Sequence, residues 1–101
     1  VLREGDGAAQ VVQHEIGHAI TGNQEIKHAV FDLWRTTVKL PDGPNRIARE
    51  VSRYATKNFQ EWFAESWTTV QHAREEHWTP LIKAFAERVR SVGVEPVAGA
   101  F

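Results

Sequence analysis

The chain of 101 residues contains no cysteine. That excludes a disulfide framework and any thiolate metal site, so a metal held here must be bound by histidine and carboxylate. The compartment stays open, because a cysteine-free chain tolerates either redox state. An excess of one charge sign is also missing. The formal net charge is −1, which removes the electrostatic case for nucleic acid or an anionic membrane surface. No apolar run approaches the length of a membrane span, and no signal peptide is visible. Tyrosine occurs once, at Tyr54. The first residue is Val1 rather than methionine, as expected of a processed product or a piece of something longer. What is present is ordinary for one globular domain with a modest core: 42% hydrophobic and 25% charged residues.

Apolar spacing is helical nearly everywhere. Asp6 is a good N-cap for a first helix, which carries Ala8, Val12 and Ala19 on one line, Ala9, Ile16 and Ile20 on the next, and Gly22 as its stop. Ile26, Val30, Leu33, Trp34 and Thr37 predict a second helix, although β-branched residues leave a strand open over residues 35–40. PDGPN at 41–45 is a turn by composition. Ile47, Ala48, Val51 and Tyr54 predict a short third helix. A fourth opens near Asn58, with Phe59, Trp62, Phe63, Trp67 and Val70 as a strong apolar stripe. Thr79-Pro80 reads as N-cap and first residue of a fifth, lined by Leu81, Ile82, Phe85, Val89 and Val92 and ended by Gly93. VEPVAGAF follows as an extended tail. The expected fold is therefore a compact, mainly α domain of four or five helices with little or no β-sheet.

Within VVQHEIGHAITGN, residues 14–18 read HEIGH. His14 and His18 are four apart, so on a helix their imidazoles lie one above the other and can reach a single ion. Glu15, one step around, is placed to act as a general base without ligating. Gly17 is a poor helix former in mid-helix, which predicts close approach of another element. H-E-x-x-H also arises by chance on amphipathic helices, so the rest of the chain must supply a further ligand.

A catalytic zinc keeps three protein ligands and one open position. Thr21 and Gln24 stand where a metzincin would have glycine and histidine, and Val38 stands where a thermolysin-like enzyme would have its glutamate. Both classes are excluded. Asp32 and Asp42 are possible carboxylate ligands without a supporting motif, and Asp42 has an obvious role in its turn. The better candidates are Glu61 and Glu65, four apart in SRYATKNFQEWFAESW with Trp62, Phe63 and Trp67 around them. Two carboxylates among aromatics are costly to bury unless something positive compensates. Glu61 would bind the metal, and Glu65 would accept an N–H from a ligating histidine. The alternatives are a capping box, in which Glu61 only closes the helix start at Asn58, and a solvated Glu65. His28, His72 and His77 fit surface or helix-end roles, His72 sharing the helix face of Glu65. Arg46, Arg49 and Arg53 read as a solvated helix face rather than a nucleic-acid patch.

HEIGHA at 14–19 and YATKNFQEWFAESW at 54–67 together resemble the catalytic core of the zincin metalloproteases related to anthrax lethal factor. Similar segments occur in bacterial polymorphic toxins and in toxin-like domains fused to phage head proteins. The likeness spans His14 to Trp67 and is tight at its two ends. It implies a zincin-like helical core in which His14, His18 and Glu61 bind zinc, Glu15 is the base and Tyr54 aids the transition state. The alternative for Tyr54 is a half-buried residue continuing the line of Ile47 and Val51; the resemblance favours the catalytic role. Zincins carry a β-sheet before the metal helix, whose edge strand pairs with substrate. Here about ten residues precede that helix, enough for at most the end of one strand. As a whole molecule the chain would have a severely trimmed substrate cleft, and as a fragment its missing wall would lie in upstream domains or come from a partner chain.

The expected function is zinc-dependent endopeptidase action on a peptide or protein substrate, toxin-like, with no nucleic acid and no membrane segment. The resemblance implies a secreted or injected effector, or a virion-associated protein. The alternatives are a phage head-associated or other assembly module whose zinc only stabilises the fold, and a helical interaction domain with no metal.

Overall fold

Three polar side chains punctuate the chain. In the computed structural model, which describes residues 7–99, Asn23, Asn58 and Thr79 each accept a hydrogen bond from the backbone N–H three residues on, and each opens a helix. Such a cap satisfies one of the N–H groups that a helix start leaves unpaired. The elements run α1 (Gly7–Ile20), α2 (Gln24–Lys39), α3 (Gly43–Glu50), a 3-10 turn (Tyr54–Thr56), α4 (Phe59–His72), a second 3-10 turn (Glu75–His77) and α5 (Pro80–Arg90). No strand occurs among the described residues. The mainly helical fold expected from apolar spacing is the one found. Asp6, expected as the first N-cap, lies outside the described residues, as does the side chain of Ala8.

The strand left open over residues 35–40 does not form. α2 continues to Lys39, and the Thr37 hydroxyl donates to the Leu33 carbonyl at 2.7 Å. Burial of Val30 and Thr37 on one helical face outweighs the β-propensity of the local residues.

α4 forms the axis, with residues 62–71 all buried. Trp62 and Phe63 meet Phe85 of α5 edge-on, with ring centroids 5.5 and 5.3 Å apart. Phe59 meets Phe31 and Trp34 of α2 at 5.1 and 5.4 Å. Full burial of each large apolar side chain contributes about 1.5–3 kcal/mol, so this aromatic stack holds α2, α4 and α5 together. Glu50 ties α3 to α5, its carboxylate accepting from Leu81 N–H at 2.9 Å and from Arg46 Nε at 2.6 Å. Arg46 is thus bound into the fold, while Arg49 pairs with Asp42 and Arg53 is exposed.

α5 ends at Arg90, and the chain turns at Gly93, whose φ of +85° is strained for any residue with a side chain. The tail then docks on α4. Ala98 and Gly99 donate to the carbonyls of Val70 and Gln71 at 3.0 Å each, and Val97 N–H donates to Gln71 Oε1 at 3.1 Å. These bonds occupy carbonyls that the end of α4 leaves unpaired.

α1 departs from its expected lines. Val12 and Ile16 are 57% and 39% exposed, and Ala9 and Ala19 are exposed too. The buried side carries Gln13 and Gly17. α1 packs chiefly on α4, and the α4 residues opposite it include Glu61, Ala64 and Glu65. Carboxylates need polar partners, so α1 turns its small and polar side inward and leaves Val11, Val12 and Ile16 outward, while Ile20 at its end packs against the core. Trp67 Nε1 donates to Gln13 Oε1 at 3.1 Å inside this interface.

Candidate metal centre

Gly17 brings the two helices close enough for short side chains to meet. A Cβ there would lie 2.8 Å from the Cα of Ala64. The packing reason expected for this glycine is thereby found. One turn of α1 carries His14 and His18 on either side of Gly17, and one turn of α4 carries Glu61 and Glu65 on either side of Ala64.

Among the described residues, one group of three His/Asp/Glu side chains brings its ligand atoms within 4.8 Å of one another: His14, His18 and Glu61. His14 Nε2 is 3.0 Å from His18 Nε2 and 3.1 Å from Glu61 Oε2, and His18 Nε2 is 2.9 Å from Glu61 Oε1. Three ligands of a tetrahedral zinc at bond lengths near 2.0–2.1 Å stand about 3.3 Å apart. The trio is therefore close to the spacing that such an ion sets.

Glu65 Oε2 lies 2.9 Å from His14 Nδ1. A carboxylate there accepts the Nδ1 proton, which leaves the Nε2 lone pair facing Glu61 and His18. One proton on His18 Nε2 can serve either His14 Nε2 or Glu61 Oε1, but not both. Glu61 Oε2 is buried and has no hydrogen-bond donor in acceptable geometry. Glu61 and Glu65 are only 14% and 12% exposed. A divalent cation would serve every one of these acceptors and offset both buried carboxylates. The residues present fit a zinc ion.

Asn58 and Glu61 divide the two roles weighed from sequence. Asn58 takes the backbone N–H of Glu61 at 2.9 Å, which is half of a capping box. The Glu61 carboxylate does not complete it and instead faces the histidines.

Tyr54 opens the 3-10 turn and is 51% exposed, so it does not continue the core line of Ile47 and Val51. Its ring centroid is 5.9 Å from that of His14. Glu15 is exposed beside His14, on the outward side of α1 near Val11. Trp62 and Phe63 do not pack around the two glutamates as expected; both turn to Phe85, because α4 is buried on all sides. Trp67 reaches α1 through Gln13. Asp32 is exposed on α2, and Asp42 pairs with Arg49, so neither joins the trio. His77 is exposed beside Glu76, His28 is exposed, and His72 stands about 16 Å along α4 from Glu61.

Two contributors escaped the sequence reading. Gln13 anchors the turn that precedes His14. Ser52 donates to Glu65 Oε1 at 2.7 Å. The signal for Gln13 was the buried line it shares with Gly17, together with the need of a buried tryptophan N–H for an acceptor. For Ser52 it was a serine placed to receive the N–H three residues on.

A scan against protein-family models matched none, and searches of curated proteins and of solved structures returned no match. No helix among the described residues is long and apolar enough to cross a membrane.

Proposed function

We propose that this chain is a zinc-dependent endopeptidase domain of the zincin type. The single observation that carries the reading is the convergence of His14 Nε2, His18 Nε2 and the Glu61 carboxylate from two helices. The H-E-x-x-H spacing and the likeness of HEIGHA and YATKNFQEWFAESW to the lethal-factor relatives add support.

His14, His18 and Glu61 would hold the ion, and Glu65 would fix the tautomer of His14. When bound, zinc supplies a nucleophile at neutral pH and polarises a carbonyl. Glu15 takes the proton of the attacking water on its carboxylate and returns it to the leaving amine. The Tyr54 hydroxyl donates to the oxygen on which negative charge develops. His14 and His18 are 20% and 30% exposed, so the trio is open to solvent on one side. That favours a catalytic over a closed structural site. Substrate would lie along the exposed side of α1, where Glu15 stands among Val11, Val12 and Ile16.

The test is cleavage of casein and of a peptide library by the zinc-loaded chain. The reading expects products that disappear with a chelator and with Glu15→Gln, while Glu15→Gln still binds zinc. A fully active Glu15→Gln protein rules the mechanism out. Bound zinc with no cleavage of any substrate favours the assembly module.

A further inference from the structure

Ser52 stands where two parts of the site join. Its hydroxyl donates to Glu65 Oε1 at 2.7 Å and accepts the backbone N–H of Ala55 at 3.2 Å. The other oxygen of Glu65 meets His14 Nδ1 at 2.9 Å. A serine hydroxyl has one proton and two lone pairs. Here the proton is committed to Glu65 and a lone pair to Ala55. An unbroken chain of hydrogen bonds therefore runs from Ala55 N–H through Ser52 and Glu65 to His14.

Each end of that chain matters to the site. Ala55 is the middle residue of the 3-10 turn that begins at Tyr54, and its side chain is fully buried. The turn is thus anchored on one side by packing and on the other by Ser52. At the far end, Glu65 carries two oxygens in a pocket where it is only 12% exposed. With both oxygens bonded, its carboxylate plane is fixed. With His14 as its one partner, it can rotate about its side-chain torsions and carry the imidazole with it.

The geometry points to Ser52 as a positioning residue that sets the metal affinity of His14 through Glu65 and, by the same oxygen, holds the turn that carries Tyr54. This inference rests on the metal-site reading above. Ser52 touches neither the ligand atoms of the trio nor a reacting group, so its action is indirect.

The test is a double-mutant cycle on zinc affinity, measured by competition with a chelating dye on the metal-stripped full chain. Ser52→Ala should weaken zinc about tenfold, the lower end of the range for an outer-shell partner. Ser52→Thr, which keeps the hydroxyl, should stay within about threefold of wild type. In a Glu65→Ala background, Ser52→Ala should cost less than about twofold, because its route to the metal site is already cut. Circular dichroism and urea unfolding run alongside, since a general loosening of the fold would lower affinity equally in both backgrounds. Equal losses in the two backgrounds overturn the proposal, and so does unchanged affinity in Ser52→Ala. A wild-type chain that binds no zinc removes the metal-site reading and this inference with it. Tight zinc binding by both wild type and Ser52→Ala removes only the role of Ser52.

Discussion

Gly17 and Ala64 meet nearly backbone to backbone: a methyl group on Gly17 would stand 2.8 Å from the Cα of Ala64 and 3.2 Å from its Cβ. Gly17 lies between His14 and His18, and Ala64 lies between Glu61 and Glu65. This close approach of α1 to α4 thus lies at the centre of the candidate metal site. Short side chains reach across only because the helices touch there.

Gly17→Ala separates two opposing effects. Alanine is the better helix former by about 1 kcal/mol. Overpacking against a neighbour that cannot yield costs about 1–3 kcal/mol. The obstructing atom is backbone, so the second effect wins. Urea unfolding should show a net loss of up to about 2 kcal/mol, and zinc affinity should fall as α1 is pushed away. A Gly17→Ala chain more stable than wild type would contradict the packing described.

Tyr54→Phe removes a hydroxyl from a ring that is half exposed and outside the core. Stability should stay within about 0.5 kcal/mol, as for most surface changes. Zinc affinity should be unchanged, because the phenol is not among the proposed ligands. Turnover should fall about 100-fold, the lower bound for losing one donor to a developing oxyanion. Steady-state kinetics on whichever peptide is cleaved check this. Equal kcat in the two proteins would assign Tyr54 to the surface.

Thr79→Ala probes the fold away from the candidate metal site. The hydroxyl accepts Ile82 N–H and donates to the Glu50 carbonyl at 2.8 Å. Loss of the cap should cost about 1–2 kcal/mol in urea unfolding. Zinc affinity should remain as in wild type, since α5 carries none of the site. A parallel fall in zinc affinity would show that α5 and the metal site are coupled.

Two helix starts were legible in the sequence because caps are local: Asn58 and Thr79-Pro80 carry their signal within a few residues. PDGPN at 41–45 instead reads as a turn, and α3 begins inside it at Gly43, with Pro44 in its first turn. The pair His14 and His18 was legible for the same reason, being set by helical period. The orientation of α1 was not. Its lines of valine, isoleucine and alanine read as a core face, and only the carboxylates of a distant helix turn that face outward. The Asn58–Glu61 spacing was ambiguous in a physical sense, since a backbone N–H and a side chain can serve different partners. The fold divides them. Gln13 and Ser52 carry local signals for burial and for a turn but none for the site; each reaches α4 through one hydrogen bond, across 54 and 13 residues.

The direct test is zinc stoichiometry, measured by mass spectrometry of metals on wild type and Glu61→Ala purified side by side without chelator. The account predicts one equivalent in wild type and little or none in Glu61→Ala, with both proteins folded by circular dichroism. One equivalent retained in Glu61→Ala, or none in wild type after zinc is supplied, would contradict it.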